Sequence, residues 1–161
     1  MRLRTIKTLI KNIVAFSIAL FFAYFFVNII CTLNYAMGAE IEQEVNHRRL
    51  LDAMCEVESN CDPTKVGEAN EIGWYQILPD FWTDALEHDP SIGGVYEDVA
   101  KDKEYAEKVI LAYWDRYAII NRLGRTPTNE DLSRIHNGGP NGYKKNATVK
   151  YWNKVKAILY E

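Results

Sequence analysis

The chain opens on an apolar run that has no polar face. From Ile13 to Leu33 the only strongly polar side chain is Asn28. A run of this length meets the roughly 20 helical residues that cross a bilayer core. Beyond it, apolar positions recur with gaps. Ile41, Val45, Leu50, Leu51, Met54 and Val57 keep helical spacing and predict a helix from about Glu40 to Glu58, ended by Asp62-Pro63. Residues 67–72 read as turn and loop, and Gly73-Trp74-Tyr75-Gln76-Ile77 as a short apolar stretch suited to a strand. Pro79 is placed to begin a helix carrying Phe81, Trp82, Ala85 and Leu86, and Pro90 to Gly94 is a loop. Ala106, Val109, Ile110, Tyr113, Trp114, Tyr117 and Ile120 mark the longest helix, from about Val99 to Leu123, with Gly124 closing it. Thr128 and Asp131 form a variant capping box ahead of a short helix that runs into the turn-dense segment His136 to Gly142. Val149, Trp152, Val155 and Ile158 predict a terminal amphipathic helix. The expected fold class is mainly α: a helical domain with a very small β element, preceded by one N-terminal transmembrane helix.

Charge divides the chain at the same place as hydropathy. Arg2, Arg4, Lys7 and Lys11 precede the apolar run, and the first 38 residues hold no acidic group. Removing those four from the chain's 19 basic residues leaves 15 against 22 acidic ones, a net charge of −7 for the remainder. The basic flank stays inside and the rest is delivered across the membrane. Residues 1–38 are therefore read as a signal-anchor and 39–161 as the working domain, membrane-anchored and extracytoplasmic. Ala36-Met37-Gly38 offers small residues to a signal peptidase, so a cleaved, secreted form stays open. The acidic remainder argues against nucleic acid as a partner, since phosphate binding needs a basic surface.

Of three cysteines, Cys31 lies in the apolar run, while Cys55 and Cys61 sit close together on the exported side. In an oxidising compartment that pair reads as a disulfide, the alternative being two unpaired thiols in a small core. No further Cys or His cluster completes a four-ligand metal site, so neither metal nor organic cofactor is expected.

Glu58 is the sharpest candidate for chemistry. It falls at the predicted end of an amphipathic helix, between the two cysteines and just before a loop. A helix C-terminus disfavours an ionised carboxylate, and partial burial beside Trp74 or Tyr75 favours the neutral acid further. A carboxylic acid that stays protonated near neutral pH can donate its proton to a glycosidic oxygen. Taken alone, a glutamate at a helix end is most often a solvated surface residue.

Four segments in order change that balance: Cys55-Glu56-Val57-Glu58-Ser59-Asn60-Cys61, then Gly73-Trp74-Tyr75-Gln76-Ile77, then Arg134-Ile135-His136-Asn137-Gly138-Gly139-Pro140-Asn141-Gly142, then Thr148 with Tyr151-Trp152 and Val155. Over about residues 50 to 158 the chain resembles the invertebrate-type (destabilase) lysozyme family. The layout is similar also to bacterial lytic transglycosylases, with His136 standing where those enzymes carry Tyr. Both resemblances imply a lysozyme-like fold and cleavage of the β-1,4 bond between N-acetylmuramic acid and N-acetylglucosamine. Carried across, the family resemblance implies Glu58 as general acid. It implies Tyr75 and Gln76 lining the cleft, His136, Asn137 and Gly138 on a loop facing the sugar, and a Cys55–Cys61 bridge. His136 reads equally well as a helix-end residue that holds its loop together.

Two departures stand out. The family is usually rich in disulfides, whereas this chain offers one, so Trp74, Trp82, Trp114 and Trp152 must supply more of the stability. The family also has an Asp upstream of its Gly-Tyr-Phe-Gln-Ile stretch, and the shorter loop here has none at the matching place. Glu68 is the stand-in, as nucleophile or stabiliser, with Glu71 a poorer choice. Three functions follow as expectations: a monomeric muramidase acting on peptidoglycan glycan strands, a lytic transglycosylase with one catalytic Glu giving 1,6-anhydro products, or a non-catalytic glycan-binding protein.

Overall fold

The computed structural model describes the backbone of residues 2–161 and the side chains of residues 21, 22 and 24–161. Its contacts divide the chain into two compact units, residues 1–46 and 47–161. The first helix, α1, is Arg2–Ser59.

In the first unit, the polar side chains of the apolar run turn back onto the helix. Asn28 donates to the Tyr24 carbonyl at 2.8 Å and Thr32 to the Asn28 carbonyl at 2.8 Å. Among the described residues no helix is long and apolar enough to cross a membrane. The expected span begins at Ile13, and the side chains of 13–20 and 23 lie outside the described residues. The structure therefore lends the span no support.

The second unit contains α2 (Pro79–His88), α3 (Asp98–Lys101), α4 (Lys103–Tyr117), α5 (Ile120–Leu123), α6 (Asn129–Gly138) and α7 (Val149–Leu159). Short 3-10 turns at Pro90–Ile92, Gly142–Lys144 and Asn146–Thr148 complete it. Helix α4 is the hub, packing on α2, α3 and α6, while α6 packs on α7. Leu50, Met54, Val109, Ile110, Ile135 and Val155 are fully buried at the centre.

Several elements follow the sequence closely. Pro79 opens α2. Gly124 adopts a left-handed conformation, φ 73°, and its N–H donates to the Ile120 carbonyl at 2.7 Å, closing α5. The Thr128–Asp131 capping box is complete in both directions. Burial would raise the Asp131 carboxyl, but Arg125 and Thr128, bonded to it, hold it below the usual carboxylate range.

Three expectations need correction. The single helix from Val99 to Leu123 is broken twice. Asp102 leaves the helix and its side chain caps α4 by accepting from Tyr105 N at 3.1 Å, and the backbone turns extended again at Ile119. The strand at Gly73–Ile77 is a tight turn, carrying only antiparallel bridges between Ile72 and Ile77 and between Val66 and Ile72. On α7 the buried face is Tyr151, Trp152, Val155 and Leu159, whereas Val149 and Ile158 are exposed. Of the four tryptophans, Trp114 and Trp152 are buried and Trp74 and Trp82 are partly so.

One buried charge was not anticipated. Glu107 on α4 is 4% exposed and pairs with Arg48 of α1. It also accepts from the Tyr75 hydroxyl at 2.7 Å and lies 3.9 Å from Lys103. Removing one partner of such a network leaves polar groups without bonds, so Glu107→Ala is expected to cost about 2–4 kcal/mol by urea unfolding. The Asp131 carboxylate contributes stability above its unfolded-state pKa, and that contribution is lost as pH falls through its lowered folded value. Asp131→Asn should therefore cost about 1–2 kcal/mol at neutral pH, and its stability should fall less than wild type between about pH 5 and 2.

Candidate active site

Glu58 sits in the last turn of α1, where the chain reverses sharply. Asn60 and Cys61 take left-handed backbone angles, φ 59° and 56°. The Cys55–Cys61 disulfide, with Cα atoms 4.9 Å apart, holds that reversal. Ser59 Oγ donates to the Trp74 carbonyl at 2.7 Å, tying the helix end to the 73–77 turn. Lys65 Nζ donates to the Glu58 carbonyl at 2.6 Å. The helix end that the sequence presents as bare partial negative charge is thus partly offset by an ammonium group.

The Glu58 side chain is 14% exposed and borders a cleft of about 160 Å³ lined by Ala69, Glu71, Gln76, Leu78, Phe81, His136 and Asn137. His136, from α6, reaches it from the interior. Its Nε2 lies 3.4 Å from Glu58 Oε1 and 3.0 Å from the Tyr75 carbonyl oxygen. The ring packs edge-on against Phe81, centroids 5.2 Å apart. Its Nδ1 is buried with no hydrogen-bond partner.

Tyr151 of α7 supplies a second group near the carboxylate. Its hydroxyl is buried without a partner in full hydrogen-bond geometry. Burial first, then the nearby Glu58 carboxylate as charge and acceptor, push this phenol well above its ordinary range.

The remaining sequence candidates separate. Gln76 lines the cleft, but its Nε2 is committed to the loop, donating to the Lys65 and Gly73 carbonyls at 3.0 Å each. Asn137 lines the cleft and is exposed. The Tyr75 side chain is fully buried and points at Glu107; only its carbonyl meets the site. Burial raises the Tyr75 phenol, and Glu107 raises it further. Gly138 is a packing residue: a Cβ there would meet Thr148 Cγ2 at 2.5 Å.

The two loop glutamates exchange their expected rank. Glu68 is exposed and is not among the lining residues, whereas Glu71 lines the cleft with Glu58. The loop is folded around Glu71. Its Oε2 accepts from Ala69 N at 2.9 Å, its carbonyl accepts from Gly67 N at 2.8 Å, and its carboxylate lies over the bare Cα of Gly67. Tyr96 reaches the same loop, its hydroxyl 3.2 Å from the Asn70 carbonyl oxygen and 2.7 Å from that of Ile77. Sequence reasoning also missed Glu107, Tyr151 and Phe81. Glu107 looks like any charged helix residue, and only its place among Ala106, Val109 and Ile110 hints that it faces inward. No group of His, Cys, Asp or Glu suited to a metal ion occurs among the described residues.

Comparison with known proteins agrees with this architecture. Residues 47–158 match the destabilase family. Lysozyme 1 of Crassostrea virginica is 32% identical over 113 residues, covering 68% of this chain and 58% of that protein. The chain thus spans about three fifths of the oyster protein's length, 58%. An invertebrate-type lysozyme of Ruditapes philippinarum is 30% identical over 133 residues, covering 79% of this chain and 92% of that one. Meretrix lusoria lysozyme, solved in complex with Aeromonas hydrophila PliI, superposes with a TM-score of 0.59 at 30% identity, over 68% of this chain and 88% of that one. The fold is mainly helical and lysozyme-like.

The seat of Glu71 yields a direct test. A Cβ at Gly67 would meet Glu71 Oε1 at 1.9 Å and Cδ at 2.1 Å. Because the blocked atoms end a flexible side chain, Gly67→Ala should change stability by less than about 1 kcal/mol. A crystal structure of the variant should show the Glu71 carboxylate moved off residue 67.

Proposed function

The chain belongs to the destabilase family, and from that premise we propose that it is a peptidoglycan-degrading glycosidase with Glu58 as general acid. The observation that carries the reading is the pair of carboxylates, Glu58 and Glu71, on one cleft beside an apolar wall of Leu78 and Phe81. The bond cleaved is the β-1,4 link between N-acetylmuramic acid and N-acetylglucosamine. Glu58 gives its proton to the leaving oxygen as the bond to the anomeric carbon breaks, and Glu71 meets the positive charge that grows on the sugar. Water then bonds through its oxygen to the anomeric carbon, and the proton it loses returns to Glu58. Glu71 replaces Glu68 in this role because Glu71 lines the cleft.

The Cys55–Cys61 bridge supports an oxidising, extracytoplasmic site of action. The apolar run from Ile13 to Leu33 serves in this reading as the tether that holds an acidic enzyme near an anionic wall.

The lytic transglycosylase reading rests on the same Glu58 without need of a second carboxylate. Its specific support is the engagement of Glu71 by the Ala69 N–H, which spends part of that carboxylate's acceptor capacity on the loop.

Digestion of purified peptidoglycan followed by mass spectrometry separates these readings. Reducing N-acetylmuramic acid ends identify the hydrolase, and 1,6-anhydro ends identify the transglycosylase. Glu58→Gln should lower turnover by about 10²–10⁴-fold with the fold intact. Retained lysis in that variant sinks the glycosidase assignment, and glycan binding without any cleavage by wild type points to a binding protein. Glu71→Gln should impair the hydrolase strongly, while Glu68→Gln should stay near wild type.

A further inference from the structure

His136 presents a constraint that its neighbours resolve. Its Nε2 lies 3.0 Å from the Tyr75 carbonyl oxygen. A carbonyl can only accept, so Nε2 must carry a proton. The same nitrogen lies 3.4 Å from Glu58 Oε1, so the N–H that bonds the Tyr75 carbonyl also stands close to the carboxyl. The other nitrogen, Nδ1, is buried and meets no partner. In a neutral ring Nδ1 is a bare lone pair, tolerable in an apolar seat. In an imidazolium it would be a buried N–H with nothing to receive it, and such a donor is costly to leave unmade. The side chain is 3% exposed, so water has little access to relieve it.

We propose that His136 is a positioning residue for the Glu58 carboxyl, locked as the neutral Nε2–H tautomer by the Tyr75 carbonyl. The inference rests on the glycosidase reading for its consequence in catalysis, though not for its structure. As Glu58 releases its proton, negative charge appears on an oxygen 3.4 Å from a fixed N–H dipole, which stabilises the product carboxylate more than the acid. Neutrality matters as much as position. A charged imidazolium beside the carboxyl would favour the carboxylate over the acid that the reaction needs.

The groups facing this pair come from every element around it. Glu58 meets His136 from α6 and Tyr151 from α7 and shares its cleft with Glu71, and Lys65 is bonded to its backbone carbonyl. His136 meets Glu58, the Tyr75 carbonyl and the uncharged edge of Phe81. No described carboxylate other than Glu58 is recorded in contact with its ring.

Two measurements on the full-length chain test the proposal. Long-range proton–nitrogen correlation spectra of the His136 ring, assigned by its loss in His136→Gln, should show the neutral Nε2–H tautomer in the neutral pH range. An Nδ1–H tautomer or an imidazolium in that range overturns the proposal. Rate profiles for wild type, His136→Phe and His136→Gln form the second arm. In His136→Phe, turnover should fall about 10–100-fold with KM within about twofold, and the alkaline limb should move to higher pH. His136→Gln, which returns an N–H near the position of Nε2, should recover part of both effects. An unchanged rate and limb in a folded His136→Phe overturns the assignment. Should wild type cleave no glycan, the glycosidase reading fails separately. The ring tautomer and a carbon-13 titration of the Glu58 carboxyl in wild type and His136→Gln then decide this inference alone.

Discussion

The buried carboxylate of Glu107 is the group on which the geometry of the cleft depends. Taking an ion into the interior costs several kcal/mol unless its bonds are rebuilt, and here they are rebuilt from three directions. Arg48 comes from α1, the Tyr75 hydroxyl from the 73–77 turn and Lys103 from its own helix. Anchoring the Tyr75 ring at one end fixes the carbonyl at the other, and that carbonyl holds His136. His136 then reaches Glu58, which returns the circuit to α1. One charge in the core thereby orients a carboxyl at the surface.

Around this circuit the chain is held by local constraint. The reversal after Glu58 combines a disulfide, two left-handed residues and a lysine on the helix end. The loop that follows folds on Glu71 and closes against Tyr96. Aromatic packing adds to that constraint. Trp114 is buried and donates to the Leu132 carbonyl at 3.0 Å, and Trp82 donates to the Tyr105 hydroxyl at 2.8 Å. Phe81 stacks on Tyr113 with centroids 3.6 Å apart. The same Phe81 lines the cleft, so core and site share a side chain.

Charge is spread unevenly over residues 39–161. Residues 134–161 carry six basic groups and one acidic group, Glu161. Lys144, Lys145, Lys150, Lys154 and Lys156 are exposed, on and around α7. Lys145 donates to the Gly138 carbonyl, next in sequence to Asn137 of the cleft. The acidic excess therefore belongs to the earlier elements, and a field set by local charge differs from one set by the total.

What the sequence determined by itself is what neighbours in the chain decide among themselves. Pro79 opens a helix through its own ring, Gly124 closes one through its own backbone freedom, and Thr128 and Asp131 cap each other across three residues. The position of Glu58, at a helix end between two cysteines close enough to bridge, was legible for the same reason, whereas its candidacy as an acid rested on the family resemblance. The break at Asp102 shows the limit of periodicity: the apolar spacing continues past a residue whose side chain ends one helix and caps the next. The tertiary structure alone decided the rest. Tyr75 and Glu107 are 32 residues apart and His136 and the Tyr75 carbonyl 61 apart, so neither contact has a local signal. Whether Glu68 or Glu71 faces the cleft turned on how a short loop closes over Gly67. Local hydrogen bonds can be read from spacing, because the chain brings those partners together unaided. The site is made of partners that meet only after the core has closed, and burial then decides which polar groups must pair.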